Sequence, residues 1–419
     1  LRFAGRSRLA HLAGIMLYQL YQAQSDLLAP ARLGAKLWLT FAAEQSFGRT
    51  WPGPRLVSAA AEMLANTEVT HKRRPFALDA VQVQNRHVQV RETVVAATPF
   101  ANLLRFEKDL ATPQPKVLVV APMSGHFATL LRPTVQTMLP DCDVHITDWQ
   151  NARDVPLSAG TFGLDDYVAH LIGFLEAMGP GSHMIAICQP AVAALVATSV
   201  MAAAKNPAQP RSLTLMAGPI DTRCNPTRVN IMAQKQTIAD YERKMISTVP
   251  NRHVGAGRRV YPGFMQLAAF MAMNADRHIN AHAAQFRRLF AGDGDAAAAH
   301  RRFYDEYFAV SDLPAEFYLE TVAQVFQEHT LPRGLMMFRG TKVNPAAIRR
   351  TSLLVVEGER DDICGIGQTM AALDLCRNIP TTRKNYHLQT GAGHYGVFSG
   401  RAWTNQIFPK VRAMIQEAA

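Results

Sequence analysis

The sequence predicts an α/β protein in which a mostly parallel central sheet carries helices on both faces and a block of helices interrupts it late. Three observations predict this class. Short unbroken apolar runs, of which Val117-Leu118-Val119-Val120-Ala121 is the clearest, have the form of strands buried on both faces. Such runs alternate with helix-length segments through short Gly- and Pro-containing connections. The alternation stops after Gly218-Pro219 and resumes only at Leu353-Leu354-Val355-Val356. A length of 419 residues allows two or three domains, or one large domain with an insertion. The expected division is 1–85, an N-terminal helical segment and basic loop; 86–220, the first part of the core; 221–350, a helical cap; and 351–419, the rest of the core.

In chain order, Leu9 to Leu39 reads as helix, broken at Ala29-Pro30, and His71-Lys72-Arg73-Arg74-Pro75 as a basic loop. Alternation at Val88, Val90 and Val94, and again at Leu103, Leu104 and Phe106, predicts a leading hairpin around Thr98-Pro99. Strands are expected at Val117–Ala121, Val144–Ile146, Met184–Ile187 and Leu213–Ala217. Leu164, Tyr167, Val168, Leu171, Ile172 and Leu175 fall at helical spacing and end at Gly179-Pro180, and Ala191–Ala204 is an Ala-rich helix. Asp221–Arg350 reads as helical and rich in aromatic residues. Strands return at Leu353–Val356 and near Tyr386–Leu388.

Composition closes off several classes. With 48% hydrophobic and 18% charged residues the chain has enough apolar material for a core, which excludes global disorder. Its net charge of +11 favours anionic surfaces without naming a partner. The five cysteines (Cys142, Cys188, Cys224, Cys364, Cys376) contain no CxxC pair, which excludes a zinc ribbon and argues against a disulfide framework. Arg2, Arg6 and Arg8 before Leu9–Leu20 give the outline of a signal peptide, but His11 and Gln19 interrupt it, and a cytoplasmic protein is expected. No apolar run reaches the ~18 residues of a membrane span. His278 and His282 stand four apart without the Glu of a metalloprotease helix and are read as a polar helix face, so no metal is expected. No phosphate-binding loop is present. The basic pairs Arg258-Arg259, Arg287-Arg288, Arg301-Arg302 and Arg349-Arg350 are read as solvated faces, and no nucleic acid is expected as a partner.

The sharpest chemical signal is Ile185-Ala186-Ile187-Cys188-Gln189-Pro190-Ala191. A buried strand ends at Cys188 and a helix of small residues begins at once. In the α/β-hydrolase fold such a turn strains the nucleophile and raises its side chain above the sheet, and a helix N-terminus favours a thiolate. A thiol needs a base, and in that fold the acid and the base follow the nucleophile in this order. Asp361, in Glu359-Arg360-Asp361-Asp362-Ile363, and His394, in Gly393-His394-Tyr395-Gly396, each follow an expected strand. Asp362 and Asp221 remain alternative acids. The oxyanion hole is expected from the backbone N–H of Gln189 and from the loop after Val117–Ala121, at Met123. Ser124 is a weaker alternative nucleophile, since it lacks the strand-to-helix turn.

The elbow Ile187-Cys188-Gln189-Pro190 is one of several motifs that share a resemblance, with Asp148-Trp149, Asp165-Asp166-Tyr167, Gly358–Ile363 and Gly393–Gly396. Together they resemble intracellular polyhydroxybutyrate depolymerases, from about Met16 and Leu17-Tyr18-Gln19-Leu20-Tyr21 to the C-terminus. The resemblance implies an α/β-hydrolase with a cysteine nucleophile that degrades amorphous granules of 3-hydroxybutyrate polyester. It assigns Cys188 as nucleophile, Asp361 as orienting acid and His394 as base. Related polyester synthases carry glycine on both sides of their elbow, where this chain has Pro190. The implied partner is the granule surface, with a homodimer allowed and no cofactor beyond coenzyme A as an alternative acyl acceptor. Two rivals follow: a thiolytic acyltransferase, and a granule-binding protein without catalysis.

Overall fold

The computed structural model describes residues 2–44, 52–273 and 275–418. Nine strands form one sheet: β1 (Ala80–Val83), β2 (Arg86–Ala97), β3 (Ala101–Lys108), β4 (Lys116–Val120), β5 (Asp143–Trp149), β6 (His183–Ile187), β7 (Ser212–Met216), β8 (Ser352–Gly358) and β9 (Lys384–Gln389). Their order across the sheet is β1-β2-β3-β5-β4-β6-β7-β8-β9. The first three strands and the β3–β5 pair are antiparallel, and every other neighbour is parallel. The leading hairpin of the sequence is β2 and β3; β1, too short to leave an apolar signature, was not anticipated.

The unbroken apolar runs have a direct cause. Along β4, Val117 and Val119 enter one hydrophobic cluster while Leu118 and Val120 enter another, so each face of the strand has its own core. The same division separates Met184 and Ala186 from Ile185 and Ile187 in β6. One cluster is roofed by the helices α3 (Leu164–Met178) and α4 (Pro190–Ala203), the other by α8 (Phe408–Glu417) with Trp403. Each such side chain buried is worth about 1.5–3 kcal/mol, so a polar residue in any of these strands would be costly. A sheet covered on both faces has only its strand ends available for chemistry.

Among the described residues, the helices α1 (Arg2–Glu44) and α2 (Pro52–Ala65) precede the sheet. The expected break at Ala29-Pro30 is absent: α1 runs through Pro30. Pro30 removes one amide donor, but at an exposed position where water serves the freed carbonyl, and Arg32 Nη1 donates to Ser25 O at 3.4 Å. Two aromatic residues of the helix fasten it to the insertion. Tyr18 Oη donates to the buried Asp312 carboxylate at 2.6 Å, and Tyr21 stacks on Phe264 with ring centroids 3.9 Å apart. His71 lies 3.8 Å from Asp312 as a neutral ring, because burial pushes its pKa down to about 2, with Arg153 adding to the effect.

Between β7 and β8 the chain leaves the sheet for residues 217–351. This insertion carries the helices α5 (Gly263–Met273), α6 (Ala275–Ala291) and α7 (Gly294–Tyr307), among others. It is not wholly helical. Leu313–Pro314, Arg259–Tyr261 and Ser247–Thr248 make a small antiparallel sheet. Arg258 is not on a solvated face: it is 3% exposed and its guanidinium donates to the carbonyls of Val155, Pro156 and Gly160. Among the described residues no helix is long and apolar enough to cross a membrane.

Candidate active site

The sheet order reverses around β4. The chain runs from β4 to β5 on one side and then crosses to β6 on the other, so the carboxyl ends of β4 and β6 flank a topological switch point. Cys188 stands there, directly after β6, with φ at +67°, a conformation that costs a non-glycine residue on the order of 1–3 kcal/mol. Neighbouring backbone holds it. Cys188 N–H donates to Met216 O at 2.8 Å, and Ala191 N–H donates to Cys188 O at 3.0 Å. Pro190 sits at the first turn of α4, where a helix needs no amide donor, so its presence in the elbow costs nothing. The crowding that a second elbow glycine usually relieves is relieved on β7's side. A Cβ on Gly218 would lie 2.1 Å from Ala191 Cβ and 3.0 Å from Cys188 O.

Asp361 and His394, the expected acid and base, arrive from the ends of β8 and β9. His394 Nδ1–H donates to Asp361 Oδ2 at 2.8 Å, and both side chains are nearly sealed from solvent. Asp361 Oδ1 accepts the N–H groups of Ile363, at 2.9 Å, and Cys364, at 2.8 Å, which fixes the carboxylate before it meets the ring. The two loops are stitched together where Arg360 N–H donates to Ala392 O at 2.8 Å. Gly358 permits this approach, since a Cβ there would lie 2.8 Å from Ala392 O. With Nδ1 engaged by Asp361, Nε2 is the nitrogen left for the Cys188 sulfur, whose charge favours a protonated ring. Burial works against a charged ring, but Cys188 and Asp361 outweigh it and hold His394 well above the usual histidine range.

Two motifs of the sequence meet at the start of the loop after β4. The carbonyl of Ala121 accepts Trp149 Nε1–H at 2.8 Å and Tyr167 Oη–H at 3.2 Å, and the two rings stack at 4.2 Å. With that carbonyl held, Pro122-Met123 continues beside the elbow. Among the described residues, neither Met123 N–H nor Gln189 N–H donates to a protein acceptor. Further along the loop, Ser311 N–H donates to Gly125 O at 2.9 Å, and the ring of His126 meets Tyr307 O at 3.1 Å. The insertion therefore rests on this loop.

The alternatives fall elsewhere. Asp221 is clasped by Arg223, with Oδ1···Nε at 2.8 Å and Oδ2···Nη2 at 2.7 Å, and does not reach His394. Asp362 and the Ser124 hydroxyl make no hydrogen bond among the described residues. The other four cysteines differ from Cys188 in setting. Burial pushes Cys142 and Cys376 up to about 12 and holds Cys364 well above the usual thiol range, and burial with Asp221 raises Cys224. His278 lies buried against Tyr304 Oη at 2.9 Å instead of on a polar face, and among the described residues no group of three or more ligand-type side chains could hold a metal. One residue went unnoticed as a site residue. Glu357, 1% exposed, accepts N–H groups from Gly367, Thr369 and Met370 and the hydroxyl of Tyr386, and so organises the loop that carries Asp361. A charged residue ending the apolar run Leu353–Val356 was its only signal.

Residues 217–419 match the family model described as "PHB de-polymerase C-terminus". The C-terminal part of the chain is thus similar to the PHB depolymerase family. The matched region contains Asp361 and His394, and Cys188 precedes it. No curated protein matches the chain. Solved structures similar to it include a soluble variant of the monoglyceride lipase of Saccharomyces cerevisiae, 12% identical over 83% of this chain and 99% of that one, with a TM-score of 0.45. A carboxylesterase of Nitrososphaera gargenis is 13% identical over 78% of this chain and 100% of that one, with a TM-score of 0.41. The strand order and the elbow described above are those of an α/β-hydrolase.

Proposed function

We propose that the protein hydrolyses the ester bonds of poly(3-hydroxybutyrate) through Cys188, His394 and Asp361. The observation that carries this reading is the hydrogen bond from His394 to Asp361 together with a strained cysteine at the sheet's switch point that acts on the same ring. His394 Nε2 takes the thiol proton as sulfur bonds to the ester carbonyl carbon. The resulting oxyanion is met by the free N–H groups of Gln189 and Met123, each donor worth about 2.7–4 kcal/mol of barrier. When the C–O bond breaks, His394 returns the proton to the departing alkoxide, which becomes the hydroxyl end of one chain fragment. The other fragment remains as a thioester on Cys188. Water then attacks that thioester, with His394 as base, and the C–S bond breaks to release a carboxylic acid and restore the thiol. Asp361 fixes the imidazole tautomer throughout.

The substrate assignment draws on the match of residues 217–419 to the depolymerase family model, and a polymer phase at a granule surface is the expected partner. The insertion over the loop after β4 is read as a lid on the site. Incubation with amorphous polymer, with and without coenzyme A, tests the reading through its products. Free acid from the wild type and none from Cys188→Ala is the expected result. Acyl-CoA formed only when the thiol is present would make the protein an acyltransferase, and undiminished release by Cys188→Ala would overturn the assignment of the nucleophile.

A further inference from the structure

Away from Cys188, a cavity of about 370 Å³ opens between α2 and the pair α6 and α7. It is at the small end of ligand-sized pockets, ~300–1,000 Å³. Its wall is mostly carbon. Leu64 comes from α2 and Leu289 from α6, and the rings of His282 and His300 pack on Tyr304 at centroid distances of 4.3 Å and 4.5 Å. Two buried polar atoms of lining residues have no protein partner: Gln285 Oε1 and His300 Nε2. Gln285 is 3% exposed, and its amide is oriented by Nε2–H donating to Ala297 O at 3.1 Å, so Oε1 is an acceptor waiting for a donor.

Leaving such a group buried and unpaired costs about 1–3 kcal/mol, which a ligand hydroxyl would recover. Charge at the rim is already answered. Arg301 pairs with Glu62, and Asp305 with Arg74 at 3.3 Å. The rings are neutral near neutral pH as well: burial first, then His282 and Arg288, push His300 down to about 4, and burial lowers His282.

We infer that this cavity is a second binding site, for a neutral and mostly apolar molecule that donates a hydroxyl to Gln285 Oε1, and that a short hydroxy-ester fills it. Naming the ester rests on the hydrolase reading; the cavity and its waiting acceptor do not. Either the hydroxyl end of a polymer chain or a released oligomer would present this chemistry. The site is mechanically connected to the first. Tyr307, on α7 with Tyr304, is the residue whose carbonyl meets His126 in the loop after β4.

The test is a calorimetric titration of the Cys188→Ala protein with the methyl ester of linear 3-hydroxybutyrate dimer, hydroxyl free, and with its O-acetylated counterpart. The free-hydroxyl form should bind about three- to tenfold more tightly, and Gln285→Met should erase the difference. Equal affinity of the two forms, or a preference that survives Gln285→Met, would overturn the assignment. Should Gln285→Met fail to fold, Leu289→Trp, which fills the cavity, should remove the same binding event, and unchanged binding would again overturn it. On polymer, rate changes caused by added free dimer in the wild type but not in Gln285→Met assign released oligomers. A KM raised by Gln285→Met for hydroxyl-ended but not end-acetylated polymer assigns chain ends, and neither effect would contradict a hydroxy-ester site. Binding without any ester cleavage would remove the hydrolase reading and leave the site standing; cleavage without binding would do the reverse.

Discussion

The two sides of the candidate site are built differently. On the side of β8 and β9, carboxylates take up backbone N–H groups: Asp361 accepts two, Glu357 accepts three, and Arg360 N–H ties one loop to the other. On the side of β4, the loop is held by the insertion, through Ser311 on Gly125, Tyr307 on His126, and the Glu306 carboxylate on the Thr129 hydroxyl. The pair of His394 and Asp361 is locked by contacts within its own loops, whereas the loop after β4 takes its shape from residues 177 to 186 positions further along the chain. Damage to the first side should therefore appear as lost chemistry, and damage to the second as altered substrate handling.

The largest effect is expected from Asp361→Asn. Activity should fall by ~10²–10⁴-fold while the fold, followed by circular dichroism, persists. The pH dependence gives a second reading. His394 is held above the usual histidine range by Cys188 and Asp361 against the opposing effect of burial. Stability linked to that proton is fully present below pH ~6.5 and is lost as pH rises through the folded value. Removing Asp361 lowers the folded value, so both the acid limb of activity, where the base is protonated, and this loss of stability should move to lower pH. An acid limb that stays in place would separate Asp361 from the histidine.

Glu357→Ala ranks next. It leaves three N–H groups and a buried tyrosine hydroxyl without their acceptor, and should cost ~3 kcal/mol in urea unfolding. Activity near the wild-type level in that variant would show that the acid loop holds its shape without this carboxylate. Tyr18→Phe should cost ~1–3 kcal/mol, because Asp312 Oδ2 loses its donor, and it should loosen α1 as read by hydrogen exchange. The smallest effect is expected at Gln266, whose side chain lies against Gly125 at distances of 2.8–3.0 Å from where a Cβ would stand. Gln266→Ala should raise KM severalfold with kcat nearly unchanged; a reversed split would place the insertion in the chemistry itself.

The same contrast decides what was legible in the sequence. Val117–Val120, Met184–Ile187 and Leu353–Val356 announced strands because both faces are buried and each demands apolar residues. Cys188, Asp361 and His394 could be named because each follows such a strand within a few residues, and strand ends are where this kind of sheet exposes its side chains. Trp149 and Tyr167 stood out as motif residues, but their common target, the Ala121 carbonyl, is a contact between distant positions that no local pattern encodes. Glu357 was hidden for the same reason, since its partners lie 10 to 13 residues ahead in an irregular loop and on the next strand. Pro30 misled because a proline's effect depends on whether the carbonyl it strands faces water. Arg258 misled because a basic pair carries no mark of which member is buried.

The nucleophile can be tested by trapping it. An activated 3-hydroxybutyrate ester, mixed with enzyme and quenched in acid within one turnover, should leave an acyl group on the peptide containing Cys188, removable by hydroxylamine at neutral pH. An acyl group found on Ser124, or complete turnover with no adduct on Cys188 at any time, would contradict the thioester mechanism.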